Sequence, residues 1–155
     1  NKRGERVILF LVLIAGVGCD KPIPESGLYE VTSEQGVNTC GPNYDMGDMG
    51  ATDTEVTVDL ENGEVSIDDS LVLQLSDNVA TMDEVMFEES IDDEEGTYTL
   101  LYKGEWEITW ATSTSAAGDY GIGIYCEGID CPTSESIYAD ELPCESKSIL
   151  EMEIK

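Results

Sequence analysis

The chain has 155 residues, with 34 acidic against 7 basic side chains, no histidine and a formal net charge of −27. Without histidine, no nucleophile–histidine pair and no histidine-ligated metal site can form. The scarcity of cations argues against a nucleic-acid partner, because binding phosphate needs clustered lysine or arginine. The length suits a single domain with one core.

Residues 1–18 are typical of an export signal. Lys2, Arg3 and Arg6 precede an uninterrupted apolar run at residues 7–17. A basic segment, an apolar segment and small residues before a processing point are the physical signature of such signals. The run is shorter than the roughly 20 residues that a membrane-spanning helix needs. We therefore expect a signal helix that is removed, rather than the alternative of a buried core helix.

The end of this run, LIAGVGC, resembles the lipobox of bacterial lipoproteins. In that family a small-residue site precedes a cysteine that is lipidated and becomes the mature N-terminus. Gly18 and Cys19 match the pattern, whereas Gly16 stands where the family usually has leucine. The resemblance implies lipidation of Cys19, with more than one acyl chain holding the protein at the membrane. It places the protein at the cell envelope, on the inner or outer membrane surface and facing the periplasm or the exterior.

Removal of residues 1–18 leaves four lysines, no arginine and all but one of the acidic side chains. Residues 19–26, with two prolines, are predicted to form a short, stiff lipidated tether. Residues 27–155 are predicted to form a single domain. Because bidentate arginine clamps are missing and any carboxylate pair arises easily by chance, we do not expect an enzyme.

From residue 27 onward, threonine, valine, isoleucine and tyrosine recur in short alternating runs separated by glycine, asparagine and aspartate. This period of two predicts an all-β antiparallel meander that forms a small barrel or a two-layer sandwich. The opening GLYEVT resembles lipocalin-like small barrels in pattern, although their G-x-W motif is missing. The predicted strands are 27–33, 54–60, 64–75, 80–90, 97–113, 119–126 and 146–154.

The segment VTVDLENGEVSI predicts a hairpin. Asn62 and Gly63 suit a two-residue type I′ turn, in which both positions need a positive φ. That turn places Leu60 opposite Val65, and Val58 lies opposite the next inward residue, Ile67.

The segment TYTLLYKGEWEITW is either a hairpin with its turn at Lys103-Gly104 or one long strand. Because side chains alternate strictly along a strand, only the long strand places all the large apolar residues on one face. Gly104 then marks a bend or a bulge. The shared face holds Tyr98, Leu100, Tyr102, Trp106, Ile108 and Trp110.

Four of these aromatic residues, Tyr98, Tyr102, Trp106 and Trp110, are candidate ligand-binding residues. Ordinary core packing is the alternative, since aromatic residues at strand spacing usually pack against each other. In the following segment, AAGDYGIGIYC, Gly121 and Gly123 leave one face bare. We expect an aromatic side chain from a neighbouring strand to cover them.

The acidic segments have two interpretations. One is a solvated, mutually repelling surface. The other is calcium binding, since calcium takes six to eight oxygen ligands. No segment matches the D-x-[DN]-x-[DN]-G loop, and no other cofactor is predicted. The candidate ligands are Asp45, Asp48, Asp53, Asp92 and Asp93.

The chain has five cysteines. If Cys19 carries lipid, four remain, which suits two disulfides in an exported protein. The strand phase favours Cys126–Cys144 together with Cys40–Cys131, while all three connectivities stay open.

These observations favour a lipid-anchored, non-catalytic binding module of the cell envelope, whose partner is an envelope protein or a small ligand. The alternative is a structural or protein-interaction component. In that case the loops 34–53 and 127–143 are the predicted partner surfaces, because long loops are often functional.

Overall fold

The computed structural model describes residues 20–94, 96–131 and 142–155. The predicted signal segment and Cys19 lie outside these ranges. Within them no helix is both long and apolar enough to cross a membrane. A 3-10 turn spans Pro42–Tyr44. The strands are β1 (Gly27–Asn38), β2 (Met49–Asp59), β3 (Glu64–Ile67), β4 (Leu71–Ser76), β5 (Val79–Asp93), β6 (Gly96–Trp110), β7 (Ser115–Glu127) and β8 (Cys144–Ile154).

The strands form a closed antiparallel barrel in which each strand pairs with the next along the chain. β8 returns to β1, with a register that runs from Tyr29 opposite Ile154 to Asn38 opposite Ser146. The all-β meander is therefore confirmed, and the architecture is a barrel rather than a sandwich. Both β1 and β2 are longer than expected, so the connection between them shortens to residues 39–48.

One end of the barrel, called the closed end below, contains the main core. Alternate residues of every strand point inward there and exclude water from one another. Trp110, Ile108 and Leu73 are fully buried. The core cluster is Tyr29, Val56, Val65, Leu73, Ala80, Ile108, Trp110, Ala116, Leu150 and Met152.

The predicted hairpin between β2 and β3 is present, but its register was wrong. Val58 lies opposite Val65, and a four-residue turn at 60–63 replaces the two-residue turn. The Asp59 carboxylate accepts hydrogen bonds from the backbone of Glu61 and Asn62 and from the Asn62 side chain. These bonds hold the longer turn and lower the pKa of Asp59. Leu60 is consequently exposed instead of paired.

The strand predicted at residues 64–75 is divided into β3 and β4. Asp68 and Asp69 have φ values of 48° and 53°, a left-handed conformation that aspartate tolerates better than most residues. The Asp68 carboxylate also accepts a hydrogen bond from the backbone N–H of Glu55, at 2.9 Å. β3 and β4 therefore form a short hairpin, and β4 pairs with only three residues of the next strand, β5.

β6 is one continuous strand, as predicted. Gly104 keeps its register with both neighbours, opposite Glu84 on β5 and Ile122 on β7. The irregularity expected at Gly104 is instead in β5, where the register shifts between Val85 and Phe87. The bulge therefore belongs to the neighbouring strand.

Two disulfides are present, Cys40–Cys144 and Cys126–Cys131. The pairing favoured from strand phase was therefore wrong. The alternation pattern suggested that Cys144 lies beside Cys126 of β7. The β7 residue opposite Cys144 is instead Ile124. Because β1 runs beside β8 in the closed barrel, Cys40 lies just beyond the end of β1 and reaches Cys144 instead.

Candidate functional site

The four candidate aromatic residues of β6 occupy different environments. Trp110 is fully buried in the core of the closed end, and Tyr98 is 8% exposed. The indole N–H of Trp110 has no hydrogen-bond acceptor among the described residues. Tyr102 and Trp106, in the middle of the strand, are only half-buried. The part of this row that a partner can reach is therefore its middle.

Side chains of the neighbouring strands β5 and β7 pack beside this middle section and form an apolar cluster with it. The Trp106 ring stacks on Tyr120 with a centroid distance of 4.5 Å, and the Tyr102 ring lies 5.4 Å from that of Phe87. We call the group the Met–aromatic cluster. Its members are Met82, Met86, Phe87, Tyr102, Trp106 and Tyr120.

Gly104 gives the methionines of this cluster their space. A Cβ at this position would lie 2.6 Å from the Met86 sulfur and 3.0 Å from the Met82 methyl. The glycine therefore serves side-chain packing across the β5–β6 ladder. Methionine is flexible and polarizable, which suits a surface that adapts to a partner.

The cluster is exposed on its β5 side, at Met86 and Phe87, where no described strand pairs with the outer side of β5. β5 has 15 residues, but only Val79, Ala80 and Thr81 pair with β4. Among the described residues, 82–92 of β5 pair with β6 alone. We call this segment the free edge. Val85, Met86 and Phe87 lie on it and are 40%, 69% and 57% exposed.

The free edge is strongly acidic. Its carboxylates are Asp83, Glu84, Glu88, Glu89 and Asp92. Among the described residues the cation paired with them is Lys103, whose Nζ is 3.6 Å from Asp83. The other carboxylates leave a field of uncompensated negative charge around the exposed apolar side chains.

One of these carboxylates is tied to the cluster. The Tyr102 hydroxyl donates a hydrogen bond to Glu89, at 3.3 Å. Burial and the neighbouring Tyr44 raise the pKa of Tyr102, so its hydroxyl stays protonated and remains a donor. The inward side of the free edge therefore offers both apolar and polar contacts.

A second charged group lies on the outer face of β6, β7 and β8. Lys147 contacts Glu105 at 3.1 Å, Glu145 at 3.4 Å and Asp119 at 3.6 Å. The Tyr125 hydroxyl donates to Glu105 at 2.6 Å. Burial acts to raise the pKa of Glu105, but the hydrogen bonds from Tyr125 and Lys147 hold it below its usual value. Here the charges satisfy one another, in contrast to the free edge.

This outer group also explains the bare glycines. A Cβ on Gly123 would lie 2.6 Å from the Tyr125 ring and 2.8 Å from a Glu105 oxygen. An aromatic side chain does cover Gly123, but it comes from the same strand rather than from a neighbour. Gly121 lies too close to the Ser146 carbonyl of β8 to accept a Cβ.

Two interior serines of the barrel wall are without a hydrogen-bond partner in the described part of the chain. The hydroxyls of Ser33 and Ser148 are buried and have none among the described residues. The adjacent Ser146 donates to the backbone carbonyl of Tyr44, which belongs to the connection after β1. That connection is therefore anchored to β8 by both a hydrogen bond and the Cys40–Cys144 disulfide.

The first two calcium candidates are engaged in local backbone contacts. Asp45 accepts a hydrogen bond from the N–H of Gly47, and Asp48 accepts one from the N–H of Gln35, both at 2.9 Å. Each carboxylate stabilises the connection between β1 and β2.

The other candidates lie elsewhere. Asp53 pairs with Lys155, and Asp92 accepts a hydrogen bond from the Thr97 hydroxyl at 3.0 Å. The side chain of Asp93 is outside the described part of the chain. Within the described ranges no group of three acidic or cysteine side chains is arranged to hold a metal ion.

Comparisons with protein-family models, with curated proteins and with solved structures gave no match. The function is therefore argued from the residues of this chain alone.

Sequence reasoning missed the most exposed apolar residues of the site, Val85, Met86 and Phe87. A signal was available, because VMF interrupts the acidic segment DEVMFEESIDD. Whether these three residues are buried or exposed depends on the length of the neighbouring hairpin, β3 and β4, which the sequence analysis had predicted as one strand.

Proposed function

We propose that the protein is an exported, lipid-anchored and non-catalytic binding module of the cell envelope, which binds a protein partner through the free edge and the Met–aromatic cluster. The observation that carries this proposal is the exposure of three consecutive apolar residues, Val85, Met86 and Phe87, on the part of β5 whose outer side pairs with no described strand. Exposed apolar residues that are contiguous, rather than scattered, are typical of interaction sites.

The packing of the barrel favours this surface over a ligand cavity inside the closed end. Trp110, Ile108 and Leu73 fill that interior with their own side chains. In small barrels of about eight strands the interior is just wide enough to be filled in this way. A partner therefore has better access to the middle of β6, which is reached from the side.

Cysteine pairing supports the anchor. The four cysteines other than Cys19 form two disulfides, so Cys19 has no cysteine left to pair with inside the chain. Together with the lipobox resemblance, this favours a lipid on Cys19. Mass spectrometry of the mature N-terminal peptide is expected to show a diacylated cysteine, and an unmodified Cys19 thiol would contradict the anchor.

Site-specific photocrosslinking tests the binding surface. We expect a photoreactive phenylalanine analogue at Phe87 to give discrete protein adducts in the native membrane fraction. The matched control is the same analogue at Val72, which is 44% exposed on β4. Adducts of equal yield at both positions, or none at Phe87, would refute the proposed surface.

A further inference from the structure

The free edge offers unpaired backbone groups as well as side chains. In an antiparallel ladder, alternate residues direct their N–H and C=O groups away from the neighbour they pair with. At the closed end, β4 pairs with this outer side of β5 at Val79, Ala80 and Thr81. Along residues 82–92 no described residue does so. Such an edge is a template for a further strand.

The second half of the free edge is regular enough to act as that template. The bulge at Met86 interrupts the ladder, but the register with β6 is continuous from Phe87 to Asp93. These seven residues are long enough to pair with an ordinary strand of about five or six residues. Phe87 lies at the start of the regular segment and is 57% exposed. It gives an added strand an apolar contact beside the backbone pairing.

The charge of the edge decides against a second copy of the chain. An antiparallel pair of the regular segments centred on Ser90 would place Glu88 of one copy opposite Asp92 of the other. In any register the five carboxylates of one free edge lie beside the five of the other, and among the described residues the cation that pairs with them is Lys103. Like charges directly opposite each other destabilise a strand pair. The carboxylates thus protect the edge from self-association and, by the same field, attract a cationic strand.

We infer that the free edge of β5 binds an extended, lysine- or arginine-rich polypeptide segment, which adds to the barrel wall as a strand. Its cationic side chains lie against Glu88 and Asp92, which share one face of the regular segment, and its apolar side chains contact Phe87 and Ile91 on the other face. This inference rests on the proposed function, because it names the class of partner for the same surface.

Binding of a model strand tests the inference. The probe is a fluorescein-labelled peptide of ten alternating lysine and valine residues. Its control carries backbone N-methyl groups at alternate residues, which keeps the charge but prevents strand pairing. By fluorescence anisotropy we expect the unmethylated peptide to bind at least about tenfold more tightly, because strand addition depends on main-chain hydrogen bonds. Equal affinities, or no binding of either peptide, would overturn strand addition.

Charge reversal locates the site. The double variant Glu88→Lys/Asp92→Lys is expected to weaken peptide binding by at least about tenfold. The matched control, Glu151→Lys/Glu153→Lys, changes the net charge equally on the exposed surface of β8 and should change affinity by less than about twofold. Equal losses in the two variants would show attraction to overall charge and would refute this site.

Amide hydrogen exchange provides a readout that does not depend on the variants. Peptide binding to the unmodified protein should slow exchange within residues 82–92, and protection confined to other strands would contradict the inference. The two proposals remain separable. Adducts at Phe87 in membranes without a preference for the cationic peptide would refute the inference alone, whereas absence of adducts at Phe87 would refute the proposed surface.

Discussion

The closed end and the free edge use the same two strands, β5 and β6, with opposite outcomes. At the closed end Ala80 and Ile108 lie opposite each other and are fully buried. Further along the same ladder, Phe87 lies opposite Tyr102 and is 57% exposed. The apolar pattern is similar in both places. The difference is that β4 covers the outer side of β5 only as far as Thr81.

This comparison shows that a neighbouring element can decide whether an apolar residue belongs to a core or to a surface. β3 has 4 residues and β4 has 6, whereas β5 and β6 have 15 each. The short hairpin therefore leaves most of β5 without an outer partner among the described strands. Exposure of Phe87 follows from the length of β3 and β4 rather than from the sequence around Phe87.

The two disulfides give the largest expected effect. Cys40–Cys144 closes a sequence separation of 104 residues and Cys126–Cys131 a separation of 5. In the chain-entropy model their loss costs about 5 and about 2 kcal/mol respectively. We therefore expect Cys40→Ala/Cys144→Ala to lose more stability than Cys126→Ala/Cys131→Ala. Urea unfolding of the two double variants measures the difference in the free energy of unfolding. Equal losses would show that the long crosslink does not stabilise the barrel more than the short one.

A large-to-small substitution in each region is a direct test of the comparison. Leu73→Ala, in the core of the closed end, should lower the free energy of unfolding by about 2 to 5 kcal/mol. Phe87→Ala should lower it by less than about 1 kcal/mol, because the side chain is already exposed. If chemical denaturation shows comparable losses, Phe87 is a core residue and the free edge is not a separate surface.

Two glycines extend the comparison to backbone approach. A Cβ at Gly118 would lie 1.9 Å from the Glu107 carbonyl oxygen, whereas a Cβ at Gly104 would meet the flexible ends of Met86 and Met82. We expect Gly118→Ala to cost about 1 to 3 kcal/mol and Gly104→Ala less than about 1 kcal/mol. Thermal melts of the two variants provide the measurement. The reverse order would mean that the methionines are rigidly packed.

The smallest effect concerns the outer charged group, where charges are paired. The hydrogen bond to Glu105, followed by burial, raises the pKa of Tyr125 to about 12 from 10.0. A raised pKa adds stability that is present below pH 10 and is lost as the pH rises through about 12. Since solvent still reaches and screens this partly buried pair, the contribution is no more than about 1 kcal/mol.

Tyr125→Phe should therefore abolish this part of the alkaline loss of stability. The absorbance titration of the variant should also lack one tyrosine that ionises near pH 12. If the titration of the variant instead lacks a tyrosine of ordinary pKa, the hydrogen bond to Glu105 does not persist in solution.

Parts of the candidate site were accessible from the sequence. Strict alternation along TYTLLYKGEWEITW assigned β6 and placed Tyr102 and Trp106 on the inward face. The alternation pattern alone did not show that these two residues are more exposed than the fully buried Trp110. Their different exposure depends on which strands lie across the barrel, and that information is not local.

The errors have two origins, contacts between residues distant in sequence and competing local hydrogen bonds. The phase of Cys144 was correct, but its partner Cys40 depends on β1 lying beside β8. The turn after Asp59 depends on carboxylate hydrogen bonds that compete with the Asn-Gly signal. In each case a contact between residues distant in sequence, or a competing local bond, decided between patterns that the sequence allowed equally.

The sequence by itself determined the all-β class, the inward face of β6 and the acidic character of the chain, because alternation and charge are local properties of the residues. Only the tertiary structure decided the closure of the barrel, the disulfide pairing and the position of the free edge. These depend on which strands become neighbours and how far each neighbour extends, and both are consequences of packing the whole chain around one core.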